Sequence, residues 1–229
     1  MLEDGLSYPA RGDWIGRILI GGVLGFFSFL FVPLFFLLGY FVRVLETSIE
    51  GADEPPAFDD WGELFVTGLV AFVITFAYSI VPVVVYSVVV FGLIGAGGAI
   101  GGDGGGLLAG LGFLSMLAFL PLLLLIYYIV PAALANYARR GTLGAGFDVD
   151  AIKPVVLSVD YLIAVLLPLV VAFVVWIVVG ILFATIVGAL VVPFVQFYAQ
   201  VAIFRMFGLA FAEVQGSEST GTGPAAPSV

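Results

Sequence analysis

Four stretches of this chain, residues 18–42, 64–102, 104–138 and 161–204, contain no Asp, Glu, Lys or Arg. Crossing a hydrocarbon core of about 30 Å takes roughly 20 predominantly apolar residues in a helix. Each stretch exceeds that length, so the pattern predicts an all-α, polytopic integral membrane protein with about five transmembrane helices. The last stretch has 44 residues. As one helix it would extend roughly 66 Å, about twice the core. It must therefore turn back on itself, and the break is expected between Gly180 and Gly188. Gly180, Ala184 and Gly188 also have the small-xxx-small spacing of a close helix contact.

The first apolar pass is read over residues 14–42, bounded by Trp14 and Tyr40, with Arg17 and Arg43 placed to reach the headgroups. The second covers 64–92. Gly95 to Gly106 holds eight glycines in twelve residues, a composition expected to form a flexible turn rather than helix. The third pass follows over 107–136. A polar connection with Arg139, Arg140, Asp148, Asp150 and Lys153 then leads to the final run at Tyr161.

Two local patterns recur. Pro9-Ala10-Arg11-Gly12-Asp13-Trp14 matches Pro56-Ala57-Phe58-Asp59-Asp60-Trp61, and Phe147-Asp148 is a weaker third copy. Each precedes an apolar run. Asp13 and Asp60 are expected to cap helix starts, and Trp14 and Trp61 to anchor the interface; Asp60 with Glu63 has the spacing of a capping box. The closing pattern is Pro33 with Tyr40, Pro131 with Tyr137, and Pro193 with Tyr198, followed by Arg43, Arg139 and Arg205. Together they imply three related internal units, in which the prolines bend apolar helices and the tyrosines serve as interface anchors.

The first unit has two readings. If residues 14–42 span fully, Arg11 and Arg17 lie opposite Arg43, Arg139, Arg140, Lys153 and Arg205. If the pass is re-entrant, turning near Gly25 to Ser28, all seven positive residues share one face. Charge asymmetry favours the re-entrant form, whereas hydropathy favours the full span, because half-helices need protein around their turn. Both readings put the connections after Arg43 and Arg139, and the carboxyl terminus, in the cytoplasm, and the protein as a multi-pass component of the cytoplasmic membrane.

Composition narrows the picture. Of 229 residues, 62% are hydrophobic and 10% charged, which leaves no room for a second, water-soluble domain. Residues 1–213 read as a single membrane domain and 214–229 as a disordered tail rich in Gly, Pro, Ser and Ala. The net charge is −9, with acids gathered in the connections, so the wetted surface is acidic. Such a surface repels phosphates and excludes a nucleic-acid partner, while one Lys against six Arg with many acids suits a halophilic source. Cysteine and histidine are absent, which removes disulfides, thiolate chemistry and the commonest metal ligand. The amino terminus, Met1-Leu2-Glu3-Asp4, is acidic where a secretory signal is basic, so the first segment is expected to stay attached.

Candidate chemistry is sparse. No ionisable group lies inside the four runs, which weakens any proton-relay role; Asp160 and Arg205 sit at boundaries, where capping and snorkelling account for them. Gln196 and Gln200 are four apart and share a helix face leading to Arg205, making these three the candidate polar face. Asn136, Thr75, Ser79, Ser87 and Ser115 are scattered hydrogen-bonding groups, read chiefly as interhelical. The glycine run matches no G-x-G-x-x-G register, and Asp59, Asp60 and Glu63 match no calcium loop. Serine–histidine and zinc chemistry are excluded without histidine, and Asp103 and Asp160 lack the buried pairing of aspartyl catalysis. No enzyme, catalytic residue, metal or cofactor is expected.

Asp13-Trp14, Gly39-Tyr40-Phe41-Val42-Arg43, the Pro56 to Trp61 segment with Gly68-Leu69, and later Pro131 to Tyr137 with Phe147-Asp148 give the chain a likeness over about residues 7–212. It resembles the domain of unknown function 4013 membrane family, abundant in haloarchaea. The resemblance implies an archaeal integral membrane protein of uncharacterised role, and supplies no catalytic residues. Small residues at Gly21-xxx-Gly25, Gly106-xxx-Gly110 and Ala184-xxx-Gly188 offer packing surfaces. The leading expectation is a non-enzymatic scaffold, assembly or lipid-interacting component, partnered by membrane lipid and by a second copy or another membrane protein. The alternative is a small permease or channel subunit for a neutral or polar solute, since internal repeats often frame a central site.

Overall fold

The computed structural model describes residues 2–221, apart from the side chains of Asp160, Ile163, Ala164 and 217–221. Among the described residues the regular structure is helical throughout: α1 (Leu2–Ser7), α2 (Trp14–Phe26), α3 (Val32–Ile49), α4 (Trp61–Ile100), α5 (Gly102–Ser115), α6 (Phe119–Arg140), α7 (Val149–Leu157), α8 (Val159–Leu182) and α9 (Ile186–Gly221). Five segments are long and apolar enough to cross a membrane: α3, α4, α5 with α6 as one run, the 165–182 part of α8, and α9 through Gly216. These helices mark a membrane-embedded protein. Two compact units divide the chain, one from the residues before 73 and after 130, the other from residues 73–130.

In the larger unit, the first apolar pass does not run straight. α2 ends at Phe26, a single 3-10 turn covers Ser28–Leu30, and Phe31 takes a left-handed φ of 64° before α3 begins. Pro33 lies in the first turn of α3, where its missing N–H leaves no helix acceptor unpaired. The two helices then return side by side. The Tyr8 hydroxyl donates to the Glu54 carbonyl over 2.9 Å, and Arg11 donates to the Asp53 carbonyl over 3.1 Å, so the start of α2 lies against the end of α3. Of the two readings of residues 14–42, the structure forms the hairpin, and its turn at 27–31 adjoins the Gly25 to Ser28 stretch expected for it. Pro33 opens a helix rather than bending one, while Pro131 and Pro193 do lie inside α6 and α9.

The final apolar run folds as the length argument requires. α8 ends at Leu182, Phe183–Thr185 make the turn, and α9 starts at Ile186. Thr185 caps the new helix, its hydroxyl accepting from the Gly188 amide at 2.9 Å. α9 is the central element of the larger unit, packed against α2, α3 and α8. Its core joins Tyr8, Leu37, Tyr40, Phe41, Val44, Leu64, Phe197 and Val201. Backbone contact with α4 is equally close: an added Cβ at Gly39 would collide with the Leu64 carbonyl, and one at Gly68 with the Phe35 carbonyl. α9 runs on past residue 213, with Val214 buried, and the remainder of the stretch expected to be a tail is 222–229. Residues 222–229 lie outside the described residues.

In the smaller unit the glycine-rich run is not a loop. α4 stays helical through Ile100, and only Gly101 and Gly102, at φ 65° and 61°, make the turn into α5. An apolar surrounding offers no water to a free backbone, so helix is retained where glycine propensity alone would melt it. The glycines let the two arms touch: a Cβ at Gly97 would lie 2.6 Å from the Gly105 carbonyl and 2.6 Å from the Ala109 amide. Further along, Tyr86 donates to the Ser115 carbonyl at 3.3 Å. The expected contact at Gly106-xxx-Gly110 is corrected, since a Cβ at either would meet nothing within 4 Å.

A candidate polar site at mid-helix

α9 positions Gln196 and Gln200 one turn apart, as their spacing requires. Both line a cleft of about 300 Å³ that also takes in Gly25 from the end of α2, Ser28 from the α2–α3 turn, and Phe41 and Phe197 from the core. On the other side of the same ridge they line a second cleft of about 180 Å³, with Val175, Trp176 and Val179 of α8. Gln196 is exposed and Gln200 half-buried. Gln196 stands ten residues past Ile186 and nine before Arg205, about 15 Å and 14 Å along the helix, and so at the middle of an apolar run that matches a bilayer core. The hairpin turn is held there by glycine. An added Cβ at Gly21 would run into the Phe197 ring, and one at Gly22 into Phe194, while Gly25 faces Pro193 at 3.5 Å.

Arg205 does not belong to this face. It is 5% exposed, donates from Nε to Asp4 Oδ2 over 3.0 Å and from a terminal nitrogen to the Ala52 carbonyl over 2.8 Å, and lies 4.3 Å from the centre of the Tyr8 ring. Nine residues past Gln196 at 100° per residue is half a turn out of phase, which puts the guanidinium on the opposite side of α9. The expected face of Gln196, Gln200 and Arg205 is therefore corrected to the two glutamines alone. Asp4 also accepts from Arg11 at 2.6 Å. Burial works to raise its carboxyl, but hydrogen bonds and charge from Arg11 and Arg205 outweigh that and hold it below the ordinary carboxylate value.

All six arginines engage one charged end of the larger unit. Arg17 bonds the Arg11 carbonyl and lies 3.8 Å from Glu54. Arg43 is shared by Asp59 and Glu63, so Glu63 turns to a guanidinium instead of completing a capping box with Asp60. Arg140 pairs with Asp148 at 2.7 Å, and Arg139 reaches Gln215 and the Phe211 ring on the far part of α9. Asn136 is buried and donates to the Ala145 carbonyl, tying the connection after α6.

The anchor motifs divide. Asp13 occupies the cap position of α2 without a side-chain cap bond, whereas Asp148 accepts from the Ala151 amide at 3.1 Å, opening the short α7 rather than the fourth pass. That pass is capped by Ser158, which accepts from Tyr161. Trp14 and Trp61 are exposed. Among the pass-end tyrosines, Tyr40 is fully buried and donates to the Pro56 carbonyl, Tyr137 is buried, and Tyr198 donates to the Leu6 carbonyl. They fasten segments of the protein, which corrects the reading of Tyr40 as an interface anchor. Asp160 lies in the first turn of α8 with its side chain outside the described residues. Sequence reasoning named Ser28 only as a place for the re-entrant turn and missed Thr185, single hydroxyls in apolar surroundings whose signal is their place at a turn.

A family model described as a protein of unknown function (DUF4013) matches residues 26–184. No curated protein and no solved structure matches the chain.

Proposed function

We infer that this chain, which belongs to the DUF4013 family of proteins of unknown function, is a non-enzymatic permease or channel subunit for a small neutral or polar solute. The observation carrying this reading is the Gln196–Gln200 pair between two clefts at the level of a helix break. Irregular backbone at membrane depth is tolerated where it lines a cavity, and discontinuous helices of this kind form the central sites of many transporters. Carboxamides without a hydrogen-bond partner are costly in apolar surroundings, which argues for a polar occupant of the clefts they line. The charged end, with every arginine, is the cytoplasmic side under the positive-inside rule. Flux into proteoliposomes tests the reading: wild-type protein should carry solute faster than empty vesicles, and Gln196→Leu with Gln200→Leu should abolish the difference. Unchanged flux in the double variant would refute it.

A second reading, the lipid-interacting scaffold, draws on a different feature. A cleft of about 380 Å³ with a lining that includes Leu6, Ile18, Val171, Val175 and Phe194 is apolar and suits an acyl chain. Native purification that yields the protein alone, without a stable partner or bound lipid, counts against it.

A further inference from the structure

We propose that the mid-helix site selects an uncharged, hydroxyl-rich group of polyol size, through the Gln196 and Gln200 carboxamides with Ser28. The inference rests on the permeation reading and names its substrate class. Charge is the first selector. No Asp, Glu, Lys or Arg lines either cleft, so an ion entering the site would shed water without gaining a counter-charge, a cost of several kcal/mol.

Hydrogen-bonding capacity is the second. A carboxamide offers two donors and an acceptor oxygen, and a hydroxyl offers one donor and two acceptor lone pairs, so the two kinds of group satisfy each other completely. Among the described residues neither glutamine side chain forms a hydrogen bond, which leaves that capacity for a ligand. A purely apolar molecule would leave it unmet, and sites built on such groups reject analogues that lack the partner.

Size and lining are the third. A volume of about 300 Å³ lies at the small end of ligand pockets. The rest of the lining, from Leu37, Phe41 and Val192 in this cleft and from Val175 and the exposed Trp176 in the other, is apolar and suits the C–H groups that a polyol carries between its hydroxyls. Sugar-like head groups of membrane lipids share this chemistry with free polyols. The mid-helix level favours the free solute.

Stopped-flow light scattering on phosphatidylcholine proteoliposomes distinguishes the outcomes, with glycerol and ribitol as polyols and potassium chloride and potassium phosphate as ions. Wild-type vesicles should equilibrate the polyols about tenfold or more faster than empty vesicles, with salts unaccelerated. Gln196→Leu with Gln200→Leu should return polyol rates to the empty-vesicle level, Ser28→Ala should slow them partially, and Gln196→Asn with Gln200→Asn should retain part of the rate by keeping the amides. Circular dichroism and thermal midpoints of each variant show that the fold is retained, and Gly110→Ala serves as a neutral control. Accelerated salt without accelerated polyol overturns the substrate class while leaving permeation standing. No acceleration of any solute overturns the permeation reading, and the selectivity with it. If polyols stay at the empty-vesicle rate while a glycolipid is retained by wild type and lost from the double leucine variant, the hydroxylated group comes from lipid and the free-solute assignment is wrong.

Discussion

Arg205 Nε donates to Asp4 Oδ2 over 3.0 Å, joining positions 201 residues apart. The bond fastens α1 to the central helix at the point where Tyr8 and the Ala52 carbonyl close over the guanidinium. Asp4→Asn should lower stability by about 1–2 kcal/mol, less than the usual 3–5 for a broken buried pair because Asp4 is partly exposed to water and Arg205 keeps the Ala52 carbonyl. Thermal midpoints in detergent measure it.

The same pair has a defined pH dependence. The folded Asp4 carboxyl titrates below its ordinary value of 3.8, so its contribution is fully present above that value and is lost as pH falls through the lower folded pKa. The gap in midpoint between wild type and Asp4→Asn should be constant from pH 5 to 8 and close only in stronger acid. A gap that closes near neutrality would show that another group controls the latch.

The reversal at Phe27–Phe31 changes which positions face the same compartment. Ser7→Cys and Glu50→Cys, each in the cysteine-free chain, should both react with a membrane-impermeant maleimide from one side. Labelling from opposite sides would mean that residues 14–42 cross the bilayer after all.

Gly68 lies against the Phe35 carbonyl, and backbone cannot yield as a flexible side chain does. Gly68→Val should therefore cost about 3 kcal/mol or more and shed the α3–α4 contact, while Gly110→Val, with open space at its Cβ position, should stay within about 0.5 kcal/mol of wild type. Equal effects at the two sites would contradict the packing.

Thr185 begins α9 by accepting from the Gly188 amide. Thr185→Ala should cost about 1 kcal/mol, and Thr185→Ser nearly nothing, because only the oxygen is required. Reversible unfolding in mixed micelles provides the comparison.

The helical membrane class and the reversal after Gly180 were legible in the linear pattern. Apolar length and hydrogen-bond demand in a bilayer act locally, and both are written in composition. The site was half legible: i,i+4 spacing puts Gln196 and Gln200 on one face wherever α9 lies. Arg205 was misassigned because its partner, Asp4, is distant in sequence. The glycine run was misread because glycine propensity in water says little about a backbone denied water, where Gly97 can lie against Gly105 only if both arms stay helical.

By itself the sequence determined where helices are obligatory, since a charge-free run longer than a bilayer core admits few other structures. It left open whether residues 14–42 cross or return, because charge asymmetry and hydropathy favour opposite answers. Only the tertiary structure decided that, through Tyr8 against Glu54 and Gly21 against Phe197, contacts between residues far apart in the chain. Those contacts put Ser28 beside Gln196, and so turned two glutamines on a helix into one wall of a cleft.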